Sequence, residues 1–325
     1  MQLSVSSSPH ITSSLTVRKI MLRVMIALAP VIIAATYYFG FYVLVMLGVS
    51  VGCAVLSEFL FNKITKQPQS IGDCSAIVSG TIFALNLPVT VPLYLVAVGA
   101  VFAIVIVKML FGGIGKNFAN PAATARIFVT LAWAAVMTTF IKPIDYSGGF
   151  GAFFSTMQYA LSGAGVEAVT QATPLADSSI SILNLFLGNH AGSLGEVCAL
   201  AILLGGIYLI VTKTIDFKIP LVTLASFALF TLIFGGADKV LPSLLSGAIL
   251  FGAFFMATDY ASSPNSTISI IIYSAGIGLI SVLIRVFGTY PEGVSFSILL
   301  MNILAPLLDH LIIPRAFGKR KEVKK

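Results

Sequence analysis

Ten stretches of apolar residues, most near 20 residues long, dominate this chain of 325 residues. About 20 apolar residues in a helix cross the ~30 Å hydrocarbon core of a bilayer. The stretches are 20–39, 41–61, 75–88, 92–111, 121–141, 196–212, 219–235, 241–257, 267–287 and 295–314. None carries the outward-facing alternation of a membrane barrel strand, so helices are expected. Only 10% of residues are charged, and the mean hydropathy is +1.01. A soluble domain has about 25% charged residues. The expected fold is therefore an all-α polytopic membrane protein with about ten transmembrane helices. The third stretch is short and contains Gly80, Asn86 and Pro88. It reads as a broken or half-buried helix, a form tolerated where irregular backbone lines a protein cavity.

The net charge of +7 would suit a nucleic-acid binder. The basic residues instead flank the apolar stretches, which excludes that partner and makes the lipid bilayer the expected one. With the N-terminus in the cytoplasm, sixteen of the nineteen Lys and Arg fall at or near the inner side. Only Lys142, Lys239 and Arg285 fall outside. This asymmetry obeys the positive-inside rule and places both termini in the cytoplasm. The chain then divides into a cytoplasmic segment (1–19), a first membrane half (20–141), an extracytoplasmic loop (142–195), a second half (196–314) and a basic cytoplasmic tail (315–325). The N-terminus lacks the pattern of a cleavable signal, because residues 1–17 are polar and Ser-rich. Cys53, Cys74 and Cys198 lie far apart with no metal-ligand spacing.

The halves carry a faint repeat. Val78-Ser79-Gly80 matches Leu245-Ser246-Gly247, Lys108 to Gly112 matches Arg285 to Gly288, and Asn120-Pro121 echoes Ala305-Pro306. Five spans per repeat would make the halves inverted, a common transporter plan. Span pattern alone equally allows a secondary transporter or channel, or a structural membrane anchor. Glu58, Asp73, Asp259, Asp309 and Arg285 sit near span ends, where interfacial placement or ion pairing competes with an ion path. Asp73 and Asp259 are the candidates for such a path.

Within the long loop, Glu167-Ala168-Val169-Thr170-Gln171-Ala172-Thr173-Pro174 reads locally as a turn or helix start, with Thr173 as N-cap. The same segment resembles the flavin-attachment pattern of the family that holds the D subunit of the Rnf complex and the B subunit of the sodium-pumping NADH:quinone reductase. That pattern is an acidic residue, two variable positions, Ser or Thr, a variable position, Ala and Thr. Glu167 stands where the family usually has Asp, and Thr170-Gln171 where it often has Ser-Gly. Further similar segments are Ser7-Ser8-Pro9-His10, Ile71 to Ala76, Gly112 to Ala122, and Phe255 to Asp259 with Ser263-Pro264. The chain lacks the longer N-terminus of the quinone-reductase subunit, which favours the Rnf type.

The resemblance implies an electron-carrying subunit of an ion-translocating ferredoxin:NAD oxidoreductase in a bacterial cytoplasmic membrane. It implies FMN bound covalently through a phosphoester to Thr173, with Glu167 and Thr170 in the recognition pattern, and a flavin-attaching enzyme as partner. It also implies other membrane and peripheral subunits, to which NAD and iron–sulfur chemistry would belong, since no such motif occurs here. The loop from Gly112 to Asn120 resembles loops near a second, noncovalent flavin such as riboflavin, with Asn117 and Asn120 as candidate contacts. A plain inter-helix loop with an Asn-Pro helix start explains the same residues. The ion would be Na⁺ or H⁺.

Overall fold

The computed structural model describes residues 15–144, 153, 181–288 and 292–312. Each of the ten apolar stretches contains helix. In order these are α1 (Val17–Phe39), α2 (Tyr42–Ile64), α3 (Ser75–Leu85), α4 (Leu93–Phe102), which continues as a π-helix over Ala103–Met109, and α5 (Pro121–Ala132). A short α6 (Ala134–Met137) and α7 (Ile182–Leu187) precede α8 (Ala199–Val211). The rest are α9 (Lys218–Gly235), α10 (Ala237–Leu245), α11 (Ile249–Phe251) with a π-helix over Gly252–Met256, α12 (Thr267–Phe287) and α13 (Val294–Leu311). All regular structure among the described residues is helical.

Five helices, α1, α2, α9, α12 and α13, are long and apolar enough to cross a membrane. The α10–α11 pair is apolar enough as a unit but bends by 65° at its break. The other four are shorter. At 1.5 Å per residue α3 is about 16 Å long, half of a hydrocarbon core. The predicted stretch 121–141 breaks at Trp133, so α5 is also short. Bonds between segment ends show how the ten run. Arg23 of α1 donates to Thr212 O past α8, Asn117 before α5 meets Asp259 after the second π-helix, and Asp309 of α13 accepts from Asn265 before α12. At the other end Tyr38 of α1 donates to Leu187 O at the end of α7, and Thr90 before α4 donates to Thr139 O. These bonds place the start of α1, the end of α8 and the start of α5 at one end of the bundle, and the end of α1 and the start of α4 at the other.

The halves pack alike. α2 lies against α3 and α4 as α9 lies against α10 and α12. One part of the sequence repeat holds in space: Lys108 reaches back to Ser75 of α3, and Arg285 reaches back to the Ser243 and Ser246 carbonyls at the α10 break. The first does not, since Val78-Ser79-Gly80 lies inside α3 whereas Leu245-Ser246-Gly247 spans the end of α10 and the break after it. The third does not hold. Pro121 begins α5, whereas Pro306 lies inside α13. The halves join through α1 on α8 and α5 on α13. Small residues allow the approach, as in membrane bundles generally. A Cβ on Gly205 would strike the Ala27 carbonyl across the α1–α8 contact.

The end of α3 lies inside the bundle, where its carbonyls need donors. The segment before α8 supplies them. Gly195 N donates to Leu85 O at 2.6 Å and Leu194 N to Leu87 O at 3.1 Å. A Cβ at Gly195 would crowd Leu85, which fixes glycine there. Residues 190–197 are all buried. The tail of the segment expected as an outer loop therefore turns inward, because it completes a helix that is too short.

Candidate functional site

A cleft lies where α1, α3, both π-helices and the Gly112–Asn120 loop meet. Met21, Val24, Val78, Phe254 and Phe255 give it apolar walls, and Ser75, Lys108, Asn117, Asn120 and Asp259 give it polar groups.

Asn120 is built in from both sides. Its Oδ1 caps α5 by accepting from Ala122 N (3.0 Å) and Ala123 N (3.1 Å). Asn fits this place because its short side chain satisfies orphan amides, and Pro121 fits because the first helical residue needs no N–H. The Asn120 Nδ2 donates to Met256 O at 2.9 Å, which gives the end of the second π-helix a partner. Asn117 Nδ2 donates to Ala119 O (3.0 Å) and to Asp259 Oδ2 (3.1 Å). Ser262 also donates to Asp259 Oδ2, at 3.0 Å. Burial pushes the Asp259 carboxyl above its ordinary pKa, and the bonds from Ser262 and Asn117 oppose that rise.

Lys108 Nζ enters the wall from the first π-helix. It donates to Ser75 Oγ at 2.6 Å and pairs with Glu58 Oε2 at 2.7 Å. Both partners are almost fully buried. Ser70 donates to the other Glu58 oxygen, and Asn62 donates to Ser70 at 3.0 Å. Asp73 Oδ1 accepts from the Ser75 amide (2.8 Å) and hydroxyl (2.6 Å), which caps α3. Asn117, Asn120 and Asp259 are thus brought into one site. Asp73 stands behind it, one bond away through Ser75. Glu167, Thr170 and Thr173 lie outside the described residues.

Ion pairing is among the sequence expectations for Glu58, but its partner is not legible there, since Lys108 counts only as an inner-side charge and part of the repeat. A lysine four residues before Gly112-Gly113, opposite an acidic residue in a neighbouring apolar stretch, was the available signal. Arg126 likewise has a partner that the sequence does not show. It is buried on α5 and bonded to Glu292, two residues before α13. No cluster of metal-binding side chains occurs among the described residues.

A bundle of apolar helices with short and broken members, closing around a mixed apolar and polar cleft, defines a polytopic membrane protein. The chain belongs to the NQR2, RnfD, RnfE family, whose model matches residues 4–318. It is 42% identical to the D subunit of the Na⁺-translocating ferredoxin:NAD⁺ oxidoreductase complex of Acetobacterium woodii, covering 99% of this chain and 97% of that one. It is 35% identical to the D subunit of the proton-translocating ferredoxin:NAD⁺ oxidoreductase complex of Clostridium ljungdahlii, over 98% and 97% of the two chains. It is 33% identical to the D subunit of the ion-translocating oxidoreductase complex of Escherichia coli, over 98% and 99%.

Proposed function

We propose that the chain is the D-type membrane subunit of an ion-translocating ferredoxin:NAD oxidoreductase. It carries electrons through FMN on Thr173 and a second, noncovalent flavin in the Asn117–Asn120 cleft, and it couples their passage to Na⁺ or H⁺ movement. One observation carries the reading: relatives named as D subunits of such complexes match essentially from end to end. Their names divide between Na⁺ and protons, so the proposal covers both.

The residues of the cleft suit a flavin ring. Its apolar walls match a fused aromatic system, and Lys108, with a third N–H, and Asn117, with its Oδ1 acceptor, offer polar partners to the ring edge. A bound flavin would supply transfer of two electrons or one, which links hydride carriers to iron–sulfur centres. The chain would exclude water with Met21, Val24, Phe254 and Phe255 and orient the ring with Asn117. Lys108 would present positive charge whose field is moderated by Glu58. Asp259 in the cleft wall is the better placed of the two acidic ion-path candidates, since Asp73 caps α3. The positive-inside rule would put the cleft on the cytoplasmic side of a bacterial membrane and Thr173 on the other. Partner subunits would bring the NAD and iron–sulfur sites, and a flavin-attaching enzyme would load Thr173.

The test is ultraviolet fluorescence of the denatured subunit in a gel, after expression with its flavin-attaching enzyme. Flavin fluorescence that vanishes in Thr173→Ala is the expected result. A native subunit without fluorescence would refute the covalent flavin, and fluorescence kept in the variant would refute the acceptor.

A further inference from the structure

A second polar cluster lies away from the cleft, where α5, α12, α13 and the buried segment before α8 converge. Arg126 Nη2 pairs with Glu292 Oε2 and lies 3.4 Å from Ser193 Oγ. Glu196 Oε1 accepts from the Ser193 amide at 2.6 Å. Both carboxyl groups are thus tied into one cluster by Arg126 and Ser193, and the charge of each acts on the other. Each nevertheless has one buried oxygen with no donor, Glu196 Oε2 and Glu292 Oε1. Two carboxylates cannot share a dry site as adjacent anions, and buried acceptors are seldom left unpaired. One proton between those two oxygens resolves both conflicts.

We propose that Glu196 and Glu292 hold a single exchangeable proton, whose occupancy responds to charge in the Asn117–Asn120 cleft. The response part of the proposal rests on the flavin reading of that cleft. The proton bond is Glu196 Oε2–H to Glu292 Oε1. On release the proton passes to water, and the pair gains one negative charge.

Three features make the proton exchangeable. First, a small cleft is lined by exposed Thr138 and by Thr130, Arg126, Glu292 and Ser295. Ser295 is buried, and its Oγ has no partner. It is a free hydroxyl on the wall beside Glu292, suited to hold water. Second, the surrounding charge is poised. Arg126 is bonded to the pair. Arg285 is held back by the Ser243 and Ser246 carbonyls and by the Phe227 ring, 4.9 Å from its guanidinium carbon. With both cations bonded the pair would shed its proton, and with neither it would keep it. His190 lies in the same buried segment, with Nδ1 3.1 Å from Ala191 O. Third, a continuous chain of contacts leads to the cleft. Arg126 Nη1 donates to Asn86 Oδ1 (3.3 Å), Asn86 Nδ2 to Met256 Sδ (3.4 Å), and Asn120 Nδ2 to Met256 O (2.9 Å). Arg126 is six residues beyond Asn120, or about 9 Å along α5. A negative charge added in the cleft at about 10 Å, with an effective dielectric near 20, favours protonation on the order of tenfold.

Infrared difference spectroscopy of the purified complex in membranes reads this directly. The expected result is a protonated-carboxyl band that shifts in D₂O, disappears as pH is raised, and is absent in both Glu196→Gln and Glu292→Gln. Chemical reduction of the complex should move its titration midpoint upward by about one pH unit, the tenfold change above. Subunit content and bound flavin verify that the variants assemble. If they do not, deuterium exchange and titration of the native band decide. Absence of a titrating band, or its persistence in either assembled variant, overturns the shared proton. A midpoint unmoved by reduction in a complex shown to hold cleft flavin overturns the coupling. A complex without cleft flavin refutes the flavin reading instead, and the oxidised-state band still tests the pair.

Discussion

The cleft and the carboxylate cluster are both polar, both buried and joined through Asn86 and Met256, yet they treat charge differently. In the cleft, each charged group is met by a partner. Glu58 accepts from Lys108 and Ser70, and Asp259 accepts from Asn117 and Ser262. In the cluster, Glu196, Glu292, Ser295 and Arg285 each keep an unpartnered polar atom. A saturated network is rigid and suits a wall that must hold a ligand still. An unsaturated one is costly unless something mobile completes it. On the proposed reading, the same bundle supplies a fixed receptor and a site that gains and loses a charge.

The largest effect should come from breaking the saturated network at its ion pair. Lys108→Met leaves Glu58 as a buried, unpaired anion and should cost roughly 3–5 kcal/mol. The double variant Glu58→Leu/Lys108→Met should recover most of that loss, because the buried charge is gone. Thermal unfolding of the purified subunit measures both. Asn120→Ala should come next. It removes the α5 cap, worth about 1 kcal/mol, and leaves Met256 O without its donor, about 1–3 kcal/mol more. Asn120→Asp keeps the cap and should lose only the second part.

A pH series sharpens the comparison with a smaller effect. Burial raises the Asp259 carboxyl in the folded state. The folded protein therefore binds this proton more readily than the unfolded chain does. Stability from this group is full below the unfolded carboxylate pKa, near 3.9, and falls as pH rises through the folded value. Asp259→Asn should remove that part of the slope and be more stable than the native protein at neutral pH. Equal stability of the two proteins across the series would show that Asp259 is not held in this way. Ser295→Ala should have the smallest effect, near zero in thermal unfolding, because its hydroxyl has no protein partner to lose.

The sequence was readable where one short segment carries the physics. Apolar length gave the helical stretches, and Asn120-Pro121 gave a cap and a helix start in adjacent residues. Asn117 was drawn from the same segment. Sequence reasoning failed where several segments meet. Arg126 looked like an interfacial cation, because its partner Glu292 is 166 residues away. Lys108 was hidden for the same reason, with Glu58 50 residues distant. The short α3 was legible from Gly80, Asn86 and Pro88. What completes it was not, since Leu194 and Gly195 act through backbone amides that leave no side-chain signature.

The central claim is that one chain holds flavin in two separate ways, covalently at Thr173 and noncovalently in the cleft. A crossed flavin count tests it most directly. Flavin released on denaturation and flavin retained on the polypeptide are both measured in the native complex, in Thr173→Ala and in Val78→Trp, which fills the cleft wall. Thr173→Ala is predicted to lose only the retained flavin and Val78→Trp only the released flavin. A released flavin that survives Val78→Trp in the assembled complex, or one that disappears with Thr173→Ala, would contradict the claim.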